Sequence, residues 1–552
     1  MAANIPADNS DLSGLPSPFY TTDGLEKKYF DDYGSGDAPK TLVELSLISL
    51  SNTLRNKPNW TSKIHNEEIV SKWRKELEAQ GGIVEGAFEY VLEELKHDAD
   101  HAPTQFGIYG IHLADKLISP ELEAMLVEQV KVLENVPEHR KDWHPGSNNQ
   151  VLDLVHPSLY PLVSGVTRGY TEEEAEKLTW QQFVGGGTTE AVAIQLLDDK
   201  NSWGEQYWYS EKFQWLPSEF VVRNDGTTGI TSYINNLHPR LHKPLYQTIA
   251  EIFSRFVPLF NNVLTDLRNP RDNVIKVDPF NWYTGEPDPD ELDEEAYDEA
   301  HEEWWMTRTP ISPTVPAYQP RPPAERVVTL NNRSLQVIVK LASIYLTPEN
   351  PTYPGGVWHV EGMMNEKIIA SGIYYYSVEN TTPSSLGFRA AVCEPDYEQS
   401  DNRGVEMIYG LVDEEALSQN LGSIETPQSR CIAFPNIYQH KVDSFSLLDP
   451  TKPGHRKILV FFLVDPSKRI VSTKRVPPQQ DGWFRHEVAD TIGAPFRNLP
   501  DFVTETIVEN VPGRMTLKEA KAYREELMNE RKYFVGKNNE EMFERQFSLC
   551  EH

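Results

Sequence analysis

Between residues 325 and 470 the chain is cut into short apolar runs, "ERVVTL", "SLQVIVKLASIYL", "KIIASGIYYYS", "LGFRAAVCE", "GVEMIYGLV", "SRCIAFPN", "HKVDSFSLL" and "HRKILVFFLVD", parted by Gly, Pro, Asn and Asp. Runs this short, rich in β-branched and aromatic residues and bounded by turn formers, read as strands of a β-sandwich or jelly roll. Strand-like texture already begins near 205, where "QYWYSEKFQWLPSEFVVR" and "GITSYINNL" flank the turn "NDGTTG". Upstream the period changes. "TLVELSLISLSNTLRN", "NEEIVSKWRKELEAQ" and "FEYVLEELKHDAD" space apolar residues at three and four, which predicts amphipathic helices over a mostly α region from 41 to about 200. The expected class is therefore α+β, a jelly-roll core with a helical N-terminal region and a C-terminal helix.

The expected organisation is an extended arm (1–40), a mainly helical region (41–204), a β domain (205–480) and a C-terminal extension (481–552). One long amphipathic helix, "LYQTIAEIFSRFVPLFNNVLTDL", sits inside the β domain, and "TLKEAKAYREELMNERKYF" closes the chain with Thr516 as N-cap and Glu519 three residues on. An insertion spans 284–324. Glu286 to Glu303 holds eleven acids in eighteen residues, and six prolines follow, so the segment reads as a solvated excursion. It is not a calcium loop, because Asp293 stands where an EF-hand beginning at Asp288 needs glycine. The triple glycine of "FVGGGTTEAVAIQLL" lacks the lysine of a phosphate loop and reads as a turn before a helix.

Charge excludes one class of partner. With 52 basic and 83 acidic residues the formal net charge is −31, which repels a phosphate backbone. The run Ile458 to Val464 is far short of the roughly twenty residues a bilayer span needs, so no membrane is expected. The N-terminal "MAANIPADNSDLSG" has no basic or apolar signal region, and Cys393, Cys431 and Cys550 form no pair by spacing. A reducing compartment, cytoplasm or nucleus, is the expectation.

The chemistry concentrates in "GGVWHVEGMMNE", residues 355–366. In an extended chain His359 and Glu361 share a face, which by itself says little. A third ligand would have to come from another strand. His440 qualifies, since it follows "RCIAFPNIYQ" and opens "HKVDSF". Two histidines and one carboxylate leave three positions open on an octahedral metal, the arrangement non-haem Fe(II) oxygenases use. Sixteen residues on, Arg456 begins the apolar strand "HRKILVFFLVD", where its guanidinium could grip a carboxylate bidentately inside the core. The ordinary alternative is two satisfied polar histidines and an arginine paired with a structural acid. Four residues at the expected points of one β pattern favour the metal. His238 and His242 in "HPRLH" have zinc-like spacing, yet Pro239 and the absence of an intervening acid make them a helix start.

The order H-x-E, several strands, "AFPNIYQHKV" and "GHRKILVFFLVD" resembles the double-stranded β-helix of the 2-oxoglutarate/Fe(II)-dependent dioxygenases over roughly 325–470. More narrowly, "WLPSEF", "SYINNLHP", "GGVWHVEGMMNEKIIASGIYYY" and "VPPQQ" resemble an uncharacterised fungal family of unknown function spanning nearly the whole chain. The superfamily resemblance implies that His359, Glu361 and His440 bind Fe(II) and that Arg456 holds the distal carboxylate of 2-oxoglutarate. The serine usual two residues after that arginine is replaced by Ile458, which leaves Tyr345 and Tyr374 as candidates for its role. The implied reaction is oxidation of a small molecule or a protein side chain, with release of succinate and CO2. The competing reading is a cupin-like module that binds metal or a carboxylate without turnover; metal-assisted hydrolysis stands third. A G-x-S-x-G nucleophile motif is absent.

Overall fold

The computed structural model describes residues 9–19, 36–177, 189–194, 208–483, 498–500, 502, 503, 506 and 512–549. Gly185 to Gly187, where a turn before a helix is expected, lie outside the described residues.

Three helices form where the apolar period places them: α1 (Leu42–Arg55), α2 (Glu67–Gln80) and α3 (Ala87–His101). Thr41 caps the first by accepting from the Glu44 N–H, and Asn66 caps the second by accepting from Glu68 and Ile69. Their apolar faces share a core that includes Leu54, Trp73, Val91 and Leu95. The helical region is not helical throughout. It also contains β1 (His112–Asp115), α4 (Pro120–Glu134) and β2 (Val151–Val155), and both strands join the main sheet.

The strands β3 (Ser218–Val222) and β4 (Thr228–Ile230) precede the long helix α5 (Lys243–Arg268). His238 is buried in the turn ahead of that helix, its Nδ1 accepting from the N–H groups of Arg240 and Leu241, and His242 stands at the N-cap, so the pair marks a helix start. Within the acidic insertion, α6 (Glu294–Thr307) is capped by Asp293 and buries none of its described side chains, so the excursion is solvated but helical.

The core follows: β5 (Arg333–Leu346), β6 (Ile368–Glu379), β7 (Ser385–Ala391), α7 (Asn402–Tyr409), β8 (Ser418–Glu425), β9 (Arg430–Pro435), β10 (Gln439–Val442) and β11 (Gly454–Val464). "GVEMIYGLV", expected as a strand, is α7. Asp401 caps it by accepting from Gly404, Gly410 ends it in the left-handed conformation, and Val405, Ile408 and Tyr409 form its buried face at helical spacing. Toward the C-terminal end lies α8 (Leu517–Asn538), which has the capping box expected at Thr516 and Glu519.

The fold is mixed α and β around a large antiparallel sheet of eight strands, ordered β1-β9-β6-β11-β5-β3-β4, with β2 also paired to β5. A smaller sheet, β8-β7-β10, lies across from it. Alternate residues of the large sheet face opposite ways. Val460, Phe462, Ile373 and Tyr375 share an interior core with Leu386, Phe388, Leu421 and Ile424 of the small sheet. Leu459, Phe461, Tyr374 and Tyr376 point to the other side, against α5. Gly372 makes that second contact possible: a Cβ there would lie 2.8 Å from the rings of both Phe256 and Phe260. The N-terminal arm is pinned to the edge of β5, with Arg333 gripping Asp11 and with Leu12 and Leu15 in the core.

Candidate metal centre

The segment 355–361 runs antiparallel beside β10 and extends the small sheet. Gly355 has φ +95°, and a Cβ there would lie 2.9 Å from the Val442 carbonyl, so the close approach needs glycine. The Gly356 N–H then donates to that same carbonyl at 2.8 Å. Three residues on, His359 and His440 stand directly opposite each other and exchange both backbone hydrogen bonds, at 3.2 and 3.0 Å. Residues paired in this way carry their side chains on one face. Asn436, fully buried, holds the far end: its Oδ1 accepts from the Glu361 N–H at 2.8 Å and its Nδ2 donates to the Glu361 carbonyl at 3.0 Å.

Glu361, two residues along, falls on the same face. Its Oε1 lies 3.7 Å from His359 Nε2 and 3.3 Å from His440 Nε2, and the two rings are 4.5 Å apart. Two ligands at right angles on one metal are about 3 Å apart, so the donor atoms already approach coordination spacing. The three groups differ in access, the side chains of His440, Glu361 and His359 being 4%, 15% and 32% exposed, so the centre opens on the His359 side. His359 Nδ1 lies 2.8 Å from the Val357 carbonyl, which makes it the donor there and leaves Nε2 free to ligate.

The electrostatics suit a cation. Burial disfavours the charged form of Glu361, yet the hydrogen bonds and charges of His359 and His440 outweigh it and hold the carboxyl well below its ordinary range. Burial, then the neighbouring His359, pulls His440 down, so it is neutral, the ligating form. His359 moves up: burial opposes its charge, but Glu361 and the Val357 carbonyl prevail. Two imidazoles and one ionised carboxylate are a donor set that fits Fe(II).

Arg456 projects from β11 into the interior on the same face as Val460 and Phe462, and it is 3% exposed. Its guanidinium donates to the carbonyl and the hydroxyl of Thr426, and lies 5.2 and 5.0 Å from the ring centres of Tyr375 and Phe445. Among the described residues no carboxylate pairs with it, and burial pulls it below its ordinary value. The Thr426 hydroxyl passes its own proton to the Ser384 carbonyl at 2.7 Å, so it orients the arginine rather than offering a donor. Tyr345 and Tyr374 do not reach this place. Tyr374 is on the opposite face of β6 and donates to Glu123 at 2.6 Å, while Tyr345 pairs across from His455, on the face of β11 away from Arg456. The tyrosine beside Arg456 is Tyr375, its phenol pushed up to about 12 by burial. Thr426, Tyr375 and Asn436 were not legible as site residues. Parity along β6 counted back from Val378, opposite Arg456, points to Tyr376; a bulge between Tyr375 and Ser377 shifts the count and brings Tyr375 to that face instead.

Residues 85–487 match the family described as a protein of unknown function, DUF4246, and residues 9–76 match its N-terminal domain. The chain belongs to the DUF4246 family. No curated protein matches it in sequence. Among solved structures, this DUF4246 chain is similar to an Fe(II)/(alpha)ketoglutarate-dependent dioxygenase, TqaL, at 9% identity over 63% of this chain and 91% of that one, with a TM-score of 0.23. IDO from Bacillus thuringiensis matches at 8% identity over 64% and 89%, TM-score 0.23. A bsmA homolog from Methylobium petroleophilum PM1 matches at 9% over 62% and 84%, TM-score 0.23. No helix among the described residues is long and apolar enough to cross a membrane.

Proposed function

We propose that this protein is a 2-oxoglutarate- and Fe(II)-dependent dioxygenase built on a double-stranded β-helix. The observation that carries the reading is the opposed pair His359 and His440 with Glu361 on the same face, open on one side, in an interior that also holds an arginine with no carboxylate partner among the described residues. The arrangement of β9-β6-β11-β5 facing β8-β7-β10 and the His359 segment supports such a core.

His359, Glu361 and His440 would hold Fe(II), which supplies O2 activation coupled to decarboxylation of 2-oxoglutarate, so that one oxygen atom enters the substrate and the other succinate. Every other task falls to the chain. Glu361 supplies the negative charge that keeps the cation, and the Val357 carbonyl keeps the His359 ring presenting Nε2. Arg456 binds the distal carboxylate. Its anchor Thr426 pairs with Ser384, four residues along β7 from Phe388, which stands opposite His440; that is about 13 Å of strand, enough for a short dicarboxylate between a ligated metal and a long arginine. Phe388, Phe434 and Tyr375 exclude water from the inner wall. The substrate is a small molecule or a protein side chain, and the acidic surface disfavours nucleic acid.

Anaerobic addition of Fe(II) and then 2-oxoglutarate tests the reading. The expected result is the visible charge-transfer absorption of the chelate, lost in Glu361→Ala, followed by succinate on admission of oxygen. Metal and carboxylate binding without succinate, across a panel of substrates, would replace it with the non-catalytic binding module.

A further inference from the structure

A second cluster of ligating groups lies outside this centre, on a hairpin at the edge of the large sheet. The His144 N–H donates to the Val151 carbonyl at 2.8 Å and the Asp153 N–H to the Asp142 carbonyl at 2.9 Å, which closes residues 142–153 into a loop that returns on β2. Asp153 is directly opposite Ala342 of β5, and so leaves the sheet on Ala342's side. His144 reaches it across the hairpin, Nδ1 lying 2.8 Å from Asp153 Oδ2. His156, one residue past β2, has its ring centre 5.2 Å from that of His144, the two rings tilted at 54°. One donor atom from each of the three falls within 4.8 Å of the others.

Within this cluster the Asp153 carboxylate is short of partners. Its side chain is 1% exposed, Oδ2 faces His144, and Oδ1 is buried with no partner among the described residues. An unpaired buried polar atom costs about 1–3 kcal/mol, more when charged, so the arrangement wants one more positive group. His156 is in the form a metal needs: burial pulls it down to about 3, so its ring is neutral.

We propose that His144, Asp153 and His156 form a second divalent-cation site, distinct from the His359 centre, which takes Zn2+ or a transition metal of similar borderline character. Two imidazoles and a carboxylate in a compact, mostly buried cluster are the donor set such ions select, with one position left for water on the half-exposed His144 side. Without metal the cluster is held by the bond between His144 and Asp153 and by a longer one, 3.2 Å, from the Ser158 N–H to His156 Nδ1; the cation exchanges these for coordination bonds. Lys340, on the same face of β5 two residues from Ala342, acts against a cation through its charge on His156, and the Asp153 carboxylate is the opposing charge. The site's consequence is mechanical: it ties the loop at His144 to β2 at Asp153 and to His156 just beyond it.

The test is metal stoichiometry of the full chain, stripped and reloaded with Co2+ or Zn2+ alone, counted by mass spectrometry and followed by Co2+ visible absorption. Two equivalents are expected in the wild type. His144→Ala, at the most exposed position of the three, should weaken the second equivalent by more than the 10- to 100-fold typical of losing a mere supporting group. His156→Gln should do the same, with circular dichroism checking the fold of both. Glu361→Ala should leave the second equivalent in place. A wild type holding one cation that Glu361→Ala removes and His144→Ala spares overturns this site and leaves the dioxygenase reading standing. One cation lost with His144→Ala and kept in Glu361→Ala supports this site and sinks the other.

Discussion

Replacing Arg456 by methionine should separate stability from cosubstrate binding. In the free protein the guanidinium is buried with no carboxylate partner among the described residues, and only Thr426 and two aromatic faces compensate it. Removing it forfeits hydrogen bonds of about 1.5–3 kcal/mol each and ring contacts of about 0.5–2 kcal/mol. It also removes a desolvation cost of several kcal/mol, so the net change in unfolding free energy should stay within about 2 kcal/mol. Breaking a true buried ion pair would cost about 3–5 kcal/mol instead. The loss should appear in 2-oxoglutarate binding, where a bidentate charge-assisted pair is worth about 2–4 kcal/mol, roughly a thirtyfold to thousandfold weakening. Ligand-induced stabilisation reads both quantities. At 2-oxoglutarate one hundred times the wild-type Kd, with Fe(II) and without oxygen, binding adds about 2.7 kcal/mol; a hundredfold weaker variant gains only about 0.4 kcal/mol. Urea unfolding with and without ligand measures each. An Arg456→Met protein that loses 3 kcal/mol or more when free, yet keeps the full ligand gain, would make Arg456 a structural residue and refute the carboxylate clamp.

Three further outcomes follow from particular contacts. Gly372→Ala places a methyl 2.8 Å from the Phe256 and Phe260 rings and should destabilise by about 1–3 kcal/mol in urea; an unchanged midpoint would mean that α5 yields freely. Asn436→Ala releases the main chain of Glu361 and should weaken Co2+ binding at the His359 centre by about 10- to 100-fold, read by titration, whereas a purely structural asparagine would lower stability and leave affinity alone. The Asp11 carboxyl is held below its ordinary value chiefly by the Arg333 hydrogen bond, with burial opposing. A depressed carboxylate stabilises the folded state above its unfolded pKa of about 3.9 and loses that contribution as pH falls through the lower folded value. Hydrogen-exchange protection of residues 9–15 should therefore decline below about pH 4, by no more than about 1 kcal/mol for so exposed a pair, and Asp11→Asn should remove the pH dependence.

Sequence by itself determined whatever depends on neighbours along the chain. Helices α1, α2, α3, α5 and α8 stand where the apolar period puts them, and α8 also carries the cap read at Thr516, because an amphipathic stripe and such a cap are signals within a few residues. The same locality placed His359 and Glu361 on one face. It failed at "GVEMIYGLV", where one apolar run serves strand and helix alike and a cap from Asp401 decides. Only the tertiary structure set His440 opposite His359, since that register spans eighty residues and rests on Gly355 and Asn436. It also decided which tyrosine meets Arg456: Tyr374, Tyr375 and Tyr376 are all buried, the sheet being covered on both faces, so hydrophobicity carries no alternation from which to read direction. The partner Thr426 comes from a loop after β8, thirty residues earlier in the chain. His144 meets Asp153 and His156 because the bonds from His144 to Val151 and from Asp153 to Asp142 fold that stretch back on itself. Pairings between distant segments are chosen by the packing of the whole core, and no short window of sequence contains them.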